Sequence, residues 1–158
     1  MTPADELAAL FRRDLTRLIQ QLEAFPDMPT LWRSAPGISN SAGNLALHLE
    51  GNLREYIGRQ LGQVPYQRQR EREFIDEGLA VDDLVNRIES LLELTVRVIS
   101  SLSPQQLEAA YPEIVFDTTL STRQYLIHLH SHLNYHLGQI DYLRRFLTNG
   151  AALTLAGL

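Results

Sequence analysis

The chain has 158 residues, 44% of them hydrophobic, a net charge of −5 and no cysteine. Its length suits one domain with an unstapled core, and the missing cysteines exclude disulfides, thiolate nucleophiles and thiolate metal ligands. All 14 basic residues are arginine, which excludes lysine bases and Schiff bases, and the acidic balance argues against nucleic acid as a partner.

No apolar run approaches the roughly 18 residues of a membrane span. The opening MTPADELAAL is acidic and runs directly into a helical pattern, unlike a secretory leader. The expectation is a cytoplasmic protein with no membrane partner.

Thr2-Pro3-Ala4-Asp5 reads as an N-cap with proline in the first turn. Leu7, Leu10, Phe11, Leu15, Leu18, Ile19, Leu22 and Phe25 follow at helical spacing until Pro26 and Pro29 end the helix. A loop through Trp32, Pro36 and Gly37 leads to a second helix, about Ser41 to Leu61, whose stripe holds Leu45, His48, Leu49, Asn52, Leu53 and Tyr56. Gly62 and Pro65 break it, and the charged, aperiodic stretch Val64–Ala80 reads as a crossover connection. The third helix spans about Asp82 to Leu102, with Leu84, Ile88, Leu91, Leu92, Val98 and Leu102 inward. Ser103-Pro104-Gln105-Gln106 is a capping box that opens a short helix, closed by Pro112 and the Glu113–Thr119 stretch.

The last helix runs from Ser121 to Leu147. Ser121 and Gln124 form its capping box, and Asn149-Gly150 stops it. Four long amphipathic helices and no convincing strand predict an all-α four-helix bundle.

The expected core stripe of the last helix is Tyr125, Leu129, His132, His136, Ile140, Leu143 and Leu147. His132 and His136 lie one turn apart, with Cβ atoms about 5–6 Å from each other. Two imidazoles so placed can converge on a metal at about 2.0–2.1 Å. His48 is the one histidine outside the last helix and can supply a third ligand from the second. Three neutral imidazoles suit zinc, nickel, iron, manganese or another first-row divalent ion, and they leave a coordination position open. Satisfied core histidines are the competing reading, and spacing leaves both open.

The other polar residues have less specific roles. His128 lies about 12 Å along the axis from His136, so it reads as an outer partner of the ligands or as a pocket wall. His130 points away from His132 and is expected at solvent or an interface. Gln139 and Asn52 share faces with the histidines and can accept the N–H that a metal-bound imidazole turns outward. Leu133 occupies the slot where His-Glu-x-x-His enzymes carry glutamate, and no carboxylate stands out as a general base. Arg68, Arg70 and Arg72 can bind substrate carboxylates, although alternating arginine and glutamate usually marks a solvated surface.

His128-Leu-His-Ser-His132-Leu-Asn-Tyr-His136-Leu-Gly-Gln-Ile140 is similar to the last-helix signature of a known family, the DinB/YfiT-like superfamily. Asn40-Ser-Ala-Gly-Asn-Leu-Ala-Leu-His48-Leu-Glu-Gly-Asn52-Leu resembles its second-helix motif, and Pro65-Tyr-Gln-Arg-Gln-Arg-Glu-Arg-Glu-Phe74 the arginine-rich link of an uncharacterised branch. The resemblance implies one DinB-like helical bundle domain over residues 1–158 with up-down-down-up topology. It also implies a divalent metal, zinc or nickel foremost, on His48, His132 and His136. Family members with known activity include thiol-dependent S-transferases and isomerases that use bacillithiol, mycothiol or glutathione, and homodimers are common. The expected function is a metal-dependent enzyme acting on a small-molecule substrate, a low-molecular-weight-thiol S-transferase or a hydrolase. The alternative is a non-catalytic metal-binding or stress-associated interaction protein. The apolar tail Ala151–Leu158 is expected to dock on its own bundle or on a second copy.

Overall fold

The structure, a computed structural model, describes residues 1–157. Four long helices carry the fold: α1 (Pro3–Glu23), α3 (Ala42–Leu53), α5 (Val81–Ser100) and α7 (Thr122–Thr148). Short helices α2 (Met28–Leu31), α4 (Arg72–Ile75) and α6 (Pro104–Glu108) lie in the connections. α3 continues as one π-helical stretch, Arg54–Arg59, so the expected single helix to Leu61 changes its winding after Leu53. No strand forms among the described residues; two isolated bridges, Ala110–Ser121 and Val115–Thr118, shape the loop before α7.

The helix starts follow the local chemistry. Capping boxes at Thr2/Asp5, Ser103/Gln106 and Ser121/Gln124 open α1, α6 and α7, each satisfying first-turn N–H groups that lack a helical partner. Asn149 in the left-handed conformation ends α7.

Contacts between the helices set their directions. Asp14 meets His130 and Asn134, and Gln21 meets Asp141 and Arg144, so α1 and α7 run parallel. His48 meets His132 while Tyr56 meets Tyr125, so α3 is antiparallel to α7. Glu50 pairs with Arg87, and Gly58 abuts Leu94, so α3 and α5 run parallel. The order is therefore up-down-down-up. Phe11, Leu15, Leu18, Leu49, Leu53, Leu84, Ile88, Leu91 and Leu133 fill the centre without exposure.

The core stripe of α7 differs from the expected one. Leu126, Leu129, Leu133, Leu137 and Ile140 face the core, while His132 and His136 stand on the flank, half-buried. Leucines and histidines lie one residue apart along this segment, so spacings of three and four fit either row. Burial selects the leucines because an imidazole loses more than an alkyl chain when it leaves water. The flank position leaves the histidines reachable from solvent.

The stretch Val64–Ala80 does more than connect. It folds over α3, where every residue from Ala42 to Leu53 except Asn44 is buried. Asn44 donates from Nδ2 to the carbonyls of Glu73 (3.2 Å) and Asp76 (2.9 Å), and Trp32 Nε1 donates to the Leu79 carbonyl at 2.9 Å.

The tail docks on its own bundle. Arg17 Nε donates to the Ala156 carbonyl at 2.7 Å, Ala156 N donates to Gln20 Oε1 at 2.9 Å, and buried Arg144 holds the Ala151 carbonyl at 2.9 Å. Leu158 lies outside the described residues. Among the described residues no helix is long and apolar enough to cross a membrane.

Candidate metal centre

α3 supplies one imidazole and α7 two, and the three come together where the helices face each other. His48 Nε2 lies 3.2 Å from His132 Nε2, and His136 Nε2 lies 3.1 Å from the same atom. The three ligand atoms all lie within 4.8 Å of one another. Bonds of about 2.1 Å at tetrahedral angles separate ligand nitrogens by roughly 3.4 Å, so the observed spacing fits three ligands of one small cation.

Hydrogen bonds on the far ring atoms set the same orientation. His48 Nδ1 donates to Glu73 Oε2 at 2.9 Å, and His136 Nδ1 donates to Gln139 Oε1 at 2.7 Å. With the proton on Nδ1, the Nε2 lone pairs face the centre, as outer partners of metal-bound histidines arrange. Gln139 thus accepts a hydrogen bond from His136. Burial, together with the neighbouring imidazoles, lowers the pKa of His132 to about 4. Burial also lowers that of His136, and the Gln139 hydrogen bond only partly opposes it. Both rings are therefore neutral near pH 7 and have lone pairs to give.

Asn52 accepts no hydrogen bond from the histidines. Its Oδ1 is buried with no hydrogen-bond partner among the described residues, and Nδ1 of His132 is likewise unpaired. The acceptor for His48 is instead Glu73, from the segment that reads as solvated surface. Glu73 is 7% exposed and is gripped by Arg68, Nε to Oε1 at 2.7 Å and Nη2 to Oε2 at 2.9 Å. Burial alone would raise the Glu73 pKa; hydrogen bonds from Arg68 and His48 outweigh it and hold the carboxyl below its usual range. It remains ionised and fully engaged, a poor proton acceptor.

Local sequence explains how Glu73 reaches this place. A Cβ on Gly51 would lie 2.0 Å from Glu73 Oε1, so only glycine admits the carboxylate against α3. The Asn44 hydrogen bonds fix the backbone at Glu73 and Asp76, and Phe74 packs against the His48 ring with centroids 4.9 Å apart. The sequence signals available were the glycine one turn after His48 and an acidic residue within the arginine run.

The remaining candidates are placed elsewhere. His128 is exposed and stacks on Tyr125 with Phe116 at its edge, away from the three gathered histidines. His130 faces α1 and not open solvent, with Nε2 2.7 Å from Asp14 Oδ2. It continues inward because Asp14, buried in α1, needs a donor there. Arg68 is tied to Glu73, Arg70 lies 5.5 Å over the Phe74 ring, and Arg72 pairs with Asp76. Of the three, only Arg68 touches the site.

The fold and site define a class of protein: an up-down-down-up helical bundle with three histidines gathered between its second and last long helices. Residues 3–140 match the family model of the DinB superfamily, and the chain belongs to that superfamily. It is similar to the crystal structure of a DinB-like protein from Bacillus cereus ATCC 10987, with a TM-score of 0.67 and 16% identity. The match covers 92% of this chain and 91% of that one; at such identity the likeness is one of fold. No curated protein matches this chain.

Proposed function

We propose that this protein is a divalent-metal-dependent enzyme whose ligands are His48, His132 and His136. The observation that carries this reading is the meeting of three Nε2 atoms at 3.1–3.2 Å steps on a half-buried flank. The reaction we favour is transfer of a low-molecular-weight thiol to an electrophile, with zinc or nickel in the site; hydrolysis is the variant with water in place of the thiol. A bound divalent ion acidifies a coordinated thiol or water.

The chain's residues prepare that chemistry. Glu73 and Gln139 hold the His48 and His136 rings with their free lone pairs directed inward. Arg68 keeps Glu73 ionised and fixes the carboxylate in place to accept the hydrogen bond from His48 Nδ1. The solvent-facing flank gives a substrate access.

The proposal extends to a cytoplasmic setting and to self-association as a homodimer. With the tail docked on α1, the homodimer rests on family resemblance alone. Light scattering reads it directly against the 18.0 kDa chain mass.

One observation favours a second reading, a non-catalytic metal-binding bundle. The carboxylate beside the histidines is saturated by Arg68 and His48, so no free general base stands at the site.

The test is elemental analysis of purified protein, then a screen of the metal-reconstituted chain with small thiols and electrophilic acceptors beside His48→Ala. Metal-dependent turnover that His48→Ala removes supports the enzyme. A fully metallated wild type that matches the variant in every assay favours the binding module.

A further inference from the structure

We propose that the groove beside the three histidines seats the apolar, uncharged body of the substrate, an alkyl or aryl group, while the substrate's polar head reaches the histidines. This rests on the enzyme reading above and adds a substrate class to it.

The groove runs between the loop before α3 and the C-terminal half of α7 and has a volume of about 550 Å³, within the ordinary range of small-ligand sites of about 300–1,000 Å³. Its walls include Ile38, Leu45, Gln139, Tyr142, Leu143 and Phe146, and no charged side chain lines it.

Its position ties it to the site. Leu45 precedes His48 by three residues on α3, and Gln139 follows His136 by three on the antiparallel α7. Both therefore lie at the same end of the cluster, about 4.5 Å along the axes. Gln139 belongs to both places: it lines the groove and accepts the Nδ1 proton of His136. At the opposite end, Tyr56, Tyr111 and Phe116 pack around Tyr125, and the groove lies on the Leu45 side.

The rim shows what such an occupant would cover. Ile38 is 48% exposed, Tyr142 73% and Phe146 72%. Scattered exposed apolar side chains are normal, but these three gather around one cavity that shares Gln139 with the histidine cluster. An occupant with an apolar body removes their surface from water, and the uncharged walls disfavour an ionic one.

Two variants test the groove without touching the histidines or Gln139: Phe146→Ser strips a wall, and Ser39→Trp fills the space. In the first arm, metal-free protein is titrated with N-phenyl-1-naphthylamine, an uncharged dye that fluoresces in apolar surroundings. The expected result is one saturable site, weakened about tenfold in each variant. In the second arm, zinc-loaded protein is titrated by calorimetry with ethanethiol and 4-phenylbutane-1-thiol. The aryl thiol is expected to bind about tenfold tighter, a preference that Ser39→Trp abolishes.

Dye binding in the groove with no zinc uptake sinks the metal reading and leaves the apolar site standing. Zinc uptake with no saturable dye site and equal thiol affinities overturns the groove and leaves the metal reading. A fall in solution mass from two copies to one in Phe146→Ser, with dye binding unchanged, also overturns it, because the surface is then a subunit interface.

Discussion

Asp14 in α1 and Glu73 beside α3 are both buried carboxylates held by an arginine fork and a histidine nitrogen. Asp14 accepts from Arg13 at 2.7 and 2.8 Å, from Arg17 at 3.1 Å, from Asn134 at 2.8 Å and from His130 at 2.7 Å. Glu73 accepts from Arg68 and from His48. The difference lies beyond the histidine. His130 packs its ring edge-on against Phe11, and its cluster ends at the α1–α7 seam with the carboxylate fully satisfied. His48 directs its second nitrogen at two more imidazoles, at distances suited to an ion. A carboxylate, an arginine and a histidine thus make a structural clamp in one place and an outer support in the other. What distinguishes them is whether donors and acceptors are used up inside the protein.

The largest expected effect tests that distinction. His132→Ala and His136→Ala should abolish stoichiometric metal uptake, measured by elemental analysis after reconstitution, and leave a folded helical bundle. His130→Ala should keep full metal uptake and lower the thermal midpoint, since it strips a donor from buried Asp14. Metal lost equally from the His130 variant would erase the contrast between the clusters.

Asp14→Asn should cost about 3 kcal/mol, the low end for breaking a buried charge pair, because Arg13, Arg17 and His130 are partly exposed and can regain water. Burial alone would raise the Asp14 pKa. The hydrogen bonds from His130, Arg13 and Asn134 outweigh burial and depress it strongly. A depressed folded value gives stability that is complete above the unfolded value of about 3.9 and fades as pH falls below it. The stability gap between wild type and Asp14→Asn, read from denaturant unfolding, should therefore hold from neutral pH to about 4 and shrink under more acid conditions. A constant gap throughout would show that the carboxylate's charge is not what the clamp uses.

Much of this was legible in the sequence, and the misses have physical causes. Caps and apolar spacing located all four long helices. His132 and His136 stood out by spacing, and His48 stood out as the one histidine elsewhere. The true stripe of α7 was not legible, because two rows one residue apart both satisfy helical periodicity and only burial chooses between them. Asp14 and Gln21 lie among leucines on α1 and are fully buried; their partners on α7 are more than a hundred residues away. Glu73 was hidden for a related reason. A charge run reads as solvated unless something shows which member turns inward, and here the device is Gly51, on another segment.

The next effect is intermediate. Glu73→Gln should weaken metal affinity about 10–100-fold, the usual cost of losing an outer partner of a ligand histidine, with a smaller change in unfolding midpoint than Asp14→Asn causes. Gly51→Ala should reproduce much of that loss by displacing the carboxylate from His48. The double variant should then be no worse than Glu73→Gln alone, a coupling that a competition titration with a chelator measures. Fully additive losses would mean that Gly51 serves the fold and not the placement of Glu73.

The smallest expected effect concerns Asn52, one turn beyond His48 on α3. Its Oδ1 is buried and unpartnered, and such an atom costs about 1–3 kcal/mol of desolvation. Asn52→Leu replaces the carboxamide with an apolar side chain of similar reach, so stability should rise by about 1 kcal/mol. Metal affinity should stay unchanged, because no histidine depends on Asn52 for a hydrogen bond. The pair of measurements is a denaturant midpoint and the same chelator competition used for Glu73. A gain in stability with intact metal binding marks Asn52 as a group the fold carries at a cost, in contrast to satisfied Asp14. A fall in metal affinity would place Asn52 with Glu73 among the groups that orient the histidines, and the boundary of the site would then extend one helical turn further along α3.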